Sequence, residues 1–83
     1  MDLLITPGAS KGLKAMPKVD ARRLIEALRM VADQHPQRMS FVTEIVGSPG
    51  LWRARKGNYR ALFRITETSA VVEAAGIRKD IYG

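Results

Sequence analysis

The chain has 83 residues, 46% of them hydrophobic and 27% charged, so we expect a single domain over residues 1–83 with one small core. Fourteen Lys and Arg against eight Asp and Glu give a net charge of +6, which favours a polyanionic partner such as nucleic acid, anionic lipid or an acidic protein. The absence of cysteine excludes disulfides and thiol chemistry, and one histidine disfavours imidazole metal sites, so we expect no metal or other cofactor.

The N-terminal half predicts one strand and two helices. Leu3–Thr6 is a short apolar run closed by Pro7-Gly8, which is typical of a strand followed by a break. Ser10 is suited to cap a first helix that Pro17 ends. Apolar residues then recur at helical spacing over Val19–Gln34, which predicts the clearest helix. The short link at Pro17 favours an antiparallel helix hairpin.

The C-terminal half predicts strands and turns. Ser40–Val46 alternates weakly and precedes a turn. Leu51–Lys56 and Tyr59–Thr66 flank Gly57-Asn58, a two-residue hairpin signal, and Ala70–Ala75 is the last predicted strand. The order of elements predicts an α+β fold: an N-terminal strand and a two-helix hairpin, then an antiparallel-rich sheet with the helices on one side.

No segment of the sequence has the character of a membrane-spanning helix or of a secretory signal peptide. No charge-free stretch approaches the roughly 20 apolar residues that a spanning helix needs. The second residue, Asp2, is acidic, and no basic segment precedes the first apolar run. We therefore expect a cytoplasmic protein without a membrane partner.

A turn of two residues defines the pairing in the predicted hairpin. It places Arg55 opposite Arg60 and Trp52 opposite Phe63. Because side chains alternate along a strand, one side of the hairpin is predicted to be apolar and to face the core. The other side is predicted to carry a cluster of four arginines: Arg53, Arg55, Arg60 and Arg64.

The stability of the fold does not explain why four arginines are placed on one face. Like charges directly opposed on two strands are destabilising, by something on the order of 0.2–1 kcal/mol. No acidic residue lies between Glu44 and Glu67 to offset them. A planar guanidinium group binds two phosphate oxygens and remains charged when desolvated. We therefore interpret the cluster as a phosphate-binding surface, with a solvated sheet face as the alternative.

The C-terminal tail adds candidate residues to this surface. Arg78 and Lys79 follow the last predicted strand, and Tyr82 is close to the end of the chain. If the last strand pairs with Tyr59–Thr66, it brings Arg78 and Tyr82 close to the arginine cluster. His35 is interpreted as a helix cap or a surface residue. The supporting nucleic-acid-binding residues are predicted to be Lys56, Arg64 and Lys79.

Two C-terminal segments resemble the RelE/ParE toxins of bacterial toxin–antitoxin systems. Gly50–Ile65 is similar to the central hairpin of that family, and Ala75–Tyr82 is similar to its C-terminal close. The N-terminal part also fits the two-helix hairpin of the family through Ala9, Lys11, Leu13, Met16 and Pro17. The resemblance covers nearly the whole chain and implies the fold of the family. It also implies a cognate antitoxin as partner in a toxin–antitoxin hetero-oligomer.

The C-terminal segment resembles the RelE side of the family, whose members cleave mRNA in the ribosomal A site. This implies the ribosome and mRNA as partners and a metal-independent attack of a ribose 2′-OH on the scissile phosphate. By the resemblance, Arg53 and Arg55 bind that phosphate and Arg60 stabilises the transition state. The resemblance also implies that Arg78 assists the departure of the leaving oxygen and that Tyr82 assists deprotonation of the attacking 2′-OH.

Two other functions fit the same residues. ParE-like members inhibit DNA gyrase and have no nuclease activity. A basic hairpin also suits a nucleic-acid-binding module without catalysis. Substitution of Tyr82 separates the nuclease from both alternatives, because only catalysis depends on a single hydroxyl group.

Overall fold

Two helices and five strands form the part of the chain that the computed structural model describes, residues 1–34 and 39–77. In chain order they are β1 (Asp2–Ile5), α1 (Pro7–Ala15), α2 (Lys18–Asp33), β2 (Val42–Glu44), β3 (Leu51–Lys56), β4 (Tyr59–Ile65) and β5 (Ser69–Ile77). The predicted α+β fold, with an N-terminal strand and two helices before an antiparallel-rich sheet, is confirmed.

The sheet has the order β1-β5-β4-β3-β2. The strands β2 to β5 pair antiparallel with their neighbours, as short turns allow, whereas β1 pairs parallel with β5. A parallel pair needs a long crossover, and here the rest of the chain, including both helices, lies between the two strands. Helix α1 packs on β5 and α2 packs mainly on β3.

Helix α1 begins earlier than predicted. Its N-cap is Thr6, whose Oγ1 accepts a hydrogen bond from the Ala9 N–H at 3.2 Å, so the prediction of a cap at Ser10 was wrong. Pro7 stands in the first turn, where its missing N–H has no helical partner and its φ suits a helix. Pro7-Gly8 therefore starts the helix at the end of β1.

The core lies between the helices and the sheet. Leu24, Leu28 and Val31 of α2 pack in one cluster with Phe63 and Val72 of the sheet, and each of these side chains is at most 1% exposed. The predicted apolar side of the hairpin is part of this cluster. Neither helix in the described ranges combines the length and apolar character needed to cross a bilayer.

The strand predicted over Ser40–Val46 is shorter in the structure. Only Val42–Glu44 pair with β3. The Ile45 N–H still donates to the Leu51 carbonyl oxygen at 2.8 Å, which closes the β2–β3 pairing, and the Ser48 N–H donates to the Ile45 oxygen at 3.2 Å, so the chain turns directly after Ile45. Gly47 and Gly50 have φ values of 86° and 81°, a left-handed conformation that glycine adopts without strain.

Candidate nucleic-acid interface

The pairing of β3 with β4 follows the predicted register. Arg55 lies opposite Arg60 and Trp52 opposite Phe63. Gly57 in the connecting turn has a φ of 61°, as a tight hairpin turn requires. The alternation of side chains then gives the hairpin one buried apolar side and one side that carries the arginines, as predicted.

The face of the sheet opposite the helices, here called the open face, presents side chains in three rows that cross the strands. The row nearest the Gly57-Asn58 turn consists of Arg55, Arg60 and Gly76. The middle row consists of Thr43, Arg53, Leu62 and Ala74. The third row consists of Leu51, Arg64, Val71 and Leu4. Three arginines therefore lie in the two rows closer to the turn.

Arg60 is held in place by the turn beside it. Its Nη1 donates hydrogen bonds to the carbonyl oxygens of Gly57 and Tyr59, both at 3.1 Å. The side chain is half-buried, whereas Arg55 opposite is exposed. A guanidinium group that is already positioned needs no reorganisation to meet a developing negative charge, which is the condition for electrostatic catalysis.

Arg53 lies one row farther from the turn. It is half-buried, with Thr43 beside it on β2 and Leu62 on β4. A single residue of extended strand, Ala54, separates it from Arg55, which gives a distance of about 7 Å between the Cα atoms of the two arginines. Arg53, Arg55 and Arg60 therefore form one compact group, here called the arginine triad, that can surround a phosphate.

Arg64, the fourth arginine of the predicted cluster, forms an ion pair with an acidic residue. Its Nε donates to Oε2 of Glu73 on β5 at 2.9 Å. The stretch between Glu44 and Glu67 contains no acidic residue, but the fold brings Glu73 to Arg64 from outside that stretch. The expectation that no acidic residue offsets the charge of the fourth arginine was therefore wrong. Glu73 was missed because the β4–β5 register, which shifts at Leu62/Phe63, is not readable from the sequence.

Lys56 lies on the helix side of the sheet. Its strand position is opposite Tyr59, on the side that carries the core residues. Its Nζ is 6.0 Å from the centre of the Phe41 ring, the outer limit of a cation–π contact. The structure therefore separates Lys56 from the arginine triad, although the two occupy the same hairpin.

The pairing that was assumed for the last strand is present in the structure, since β5 pairs antiparallel with β4. Gly76 lies opposite Arg60 and Ile77 opposite Tyr59, so β5 ends at the same end of the sheet as the triad. The predicted site residues Arg78, Lys79 and Tyr82, and also His35, lie outside the described residues. Within the described ranges, no three His, Asp or Glu side chains are grouped as a metal site requires.

A second basic feature is a groove of ≈ 600 Å³ between the two helices and β1. Among the residues that the structure describes, three cations line it, Lys14, Lys18 and Arg22, and no acidic residue does. The remaining lining is Ser10 and an apolar set: Ile5, Leu13, Met16, Ala21 and Ile25. An apolar floor with a cationic rim suits an amphipathic segment of negative charge.

Comparison with known proteins gives a consistent group of structures. No protein-family model and no curated protein sequence matches the chain. Among solved structures, it is similar to an archaeal RelE–RelB complex from Pyrococcus horikoshii, with 26% identity, a TM-score of 0.75, and coverage of 96% of this chain and 97% of the other.

Two further structures show the same likeness. A RelB–RelE antitoxin–toxin complex from Methanococcus jannaschii matches with 23% identity and a TM-score of 0.75, covering 95% of this chain and 94% of the other. YafQ from E. coli matches with 16% identity and a TM-score of 0.77, covering 99% and 98%. The likeness spans nearly the full length of each partner.

Proposed function

Because the chain has the RelE-like toxin fold, we propose that it is the toxin of a type II toxin–antitoxin system and cleaves ribosome-bound mRNA. The arginine triad on the open face carries the proposal. It supplies three cations within two adjacent rows of the sheet. Groups positioned before the reaction, at the point where negative charge develops, contribute a large part of the rate of many enzymes.

In the proposed reaction, a ribose 2′-oxygen attacks the neighbouring phosphorus while the bond to the 5′-oxygen of the next nucleotide breaks. The products are a cyclic phosphate and a free 5′-hydroxyl, so the reaction consumes no water. Arg53 and Arg55 bind the phosphate oxygens, and Arg60 stabilises their added charge in the transition state. Two tail residues complete the proposal. Tyr82, in its ionised form, accepts the 2′-OH proton and later returns it to solvent. Arg78 stabilises the charge on the leaving 5′-oxygen, which takes up a proton from solvent to become the 5′-hydroxyl.

Tyr82→Phe tests the nuclease directly. The substitution keeps the ring and removes one oxygen, so cleavage of mRNA on programmed ribosomes is expected to fall by at least about a hundredfold. Tyr59→Phe is the matched control, because it removes the same atom from the chain's other tyrosine, which faces the helix side. Thermal unfolding and antitoxin binding are measured on both variants and are expected to remain near wild type.

Two results would contradict parts of this proposal. Full cleavage by Tyr82→Phe removes that hydroxyl from the mechanism. Inhibition of gyrase supercoiling by the wild-type protein, in a parallel assay without any mRNA cleavage, overturns the nuclease in favour of the gyrase inhibitor.

We place the antitoxin contact in the groove between α1 and α2. The rim cations attract an acidic segment, and the apolar floor buries its hydrophobic side chains. A second copy of this chain is a poor occupant, because each copy carries a net charge of +6.

Arg22→Glu is expected to weaken antitoxin binding at least about tenfold, because the reversed charge repels an acidic segment. Arg29→Glu makes the same change on the same helix at an exposed position that does not line the groove. Titration calorimetry with the antitoxin encoded beside this gene compares the two. Equal losses from both variants would mean that the net charge, rather than the groove, determines binding.

A further inference from the structure

We propose that Glu73 is a specificity-determining residue, which confines a bound polyanion to the part of the open face that carries the arginine triad. The inference rests on the proposed function, since it assumes that the triad binds a phosphate backbone. Glu73 limits how far along the strands the open face binds that backbone.

Glu73 is presented to the open face by an irregularity of β5. Phe63 pairs with Val72 and Leu62 with Ala74, so Glu73 is the extra residue with no partner on β4. Bulges of this kind redirect a side chain locally. Here the redirected carboxylate meets Arg64 at 2.9 Å, with the two side chains 41% and 47% exposed.

The first turn of α1 fixes the backbone of this bulge. The N-cap residue Thr6 has one Oγ1 proton, which is shared between the carbonyl oxygens of Val72 at 3.0 Å and Glu73 at 3.3 Å. Its backbone N–H also donates to the Val72 oxygen at 3.1 Å. The position of Glu73 is therefore set by the same residue that caps the helix.

The consequence is a change in charge along the strands. Near the turn, the open face carries Arg55 and Arg60 opposite each other. Arg64 lies four residues farther along β4, about 13 Å away. There its positive charge and the negative charge of Glu73 sum to zero. A phosphate that reaches Arg64 also meets a carboxylate, so the favourable positions for phosphates end at the middle row.

This pair has little importance for stability. Exposed ion pairs contribute little to the free energy of unfolding, because water and salt screen them. The proposed effect of the Arg64–Glu73 pair is instead on the position at which an anion binds to the sheet. A double-mutant cycle that measures phosphate contacts can therefore separate the proposed role from a merely structural one.

The probe is a single-stranded 2′-O-methyl RNA, which has the phosphate backbone but lacks the attacking hydroxyl. The slope of log affinity against log salt concentration is negative, and each phosphate neutralised adds about 0.7 to its magnitude; a change in slope here means a change in that magnitude. Arg55→Ala is expected to lower the slope by about 0.7, whereas Arg64→Ala in the wild-type background leaves it nearly unchanged. Glu73→Gln is expected to raise the slope by about 0.7, and adding Arg64→Ala to it removes that gain.

Glu67→Gln is the control for net charge, because it neutralises another exposed acid outside the strands. It is expected to leave the slope unchanged. If Arg64→Ala lowers the slope in the wild-type background as much as Arg55→Ala does, or if Glu73→Gln and Glu67→Gln act alike, the role of Glu73 is overturned. A failure of the proposed function is recognised differently, because Arg55→Ala itself then leaves the slope unchanged.

Discussion

Arg55→Ala is expected to reduce cleavage of ribosome-bound mRNA by about 10²–10³-fold, the usual cost of removing one positioned group that stabilises a developing charge. The fold should be as stable as before or slightly more so, because Arg55 is exposed and lies directly opposite Arg60. Cleavage assays on programmed ribosomes and thermal unfolding of the same preparations measure the two effects.

Lys56→Ala is the matched control for this result. It removes one cation from the adjacent residue of the same strand, but on the helix side of the sheet. Cleavage by this variant is expected to stay within a few-fold of wild type. Equal losses from both substitutions would show that overall charge matters and that the open face is not the site.

Arg60→Ala is expected to lose the same activity with a different effect on the fold. Its guanidinium group donates to the Gly57 and Tyr59 carbonyl oxygens, so removal also takes two hydrogen bonds from the hairpin turn. We expect the free energy of unfolding to fall by about 1 kcal/mol. Full toxicity of both arginine variants in growing cells would exclude the triad as the active surface.

Gly12→Ala is expected to destabilise the protein by about 3 kcal/mol or more, at the upper end of over-packing costs. A Cβ built at this position lies 1.9 Å from the Ala75 carbonyl oxygen and 2.8 Å from its carbonyl carbon. Both are backbone atoms of β5, so α1 has to move away from the sheet. The melting temperature should fall by roughly 12 °C or more.

Gly8→Ala is the control on the same helix. Its added Cβ is 3.6 Å from the Glu73 carbonyl oxygen, an ordinary contact. The substitution is expected to stabilise α1 by up to about 1 kcal/mol, because alanine is a better helix former than glycine. Opposite signs for the two variants in thermal or urea unfolding are the expected result, and a neutral Gly12→Ala would contradict the close approach of α1 to β5.

Local rules were sufficient for the central hairpin. A two-residue turn determines which residues of β3 and β4 are opposite, and alternation then assigns each side chain to a face. The pairing of Arg55 with Arg60 and the burial of Phe63 followed from these rules alone. The long helix was equally readable, because its apolar residues repeat with the helical period over several turns.

Contacts between distant segments were decided by the tertiary structure alone. The partner of Arg64 depends on a register shift in β5, and the need for glycine at position 12 depends on how closely α1 approaches that strand. The start of α1 at Pro7 was also misread, because the same proline is compatible with a strand break and with a first helical turn. The chain thus determines by itself which residues can share a face, through periodicities of two and 3.6 residues. Only the packing of helices and strands decides which charges on that face are neutralised, because Coulomb interactions depend on distance in space rather than on separation along the chain.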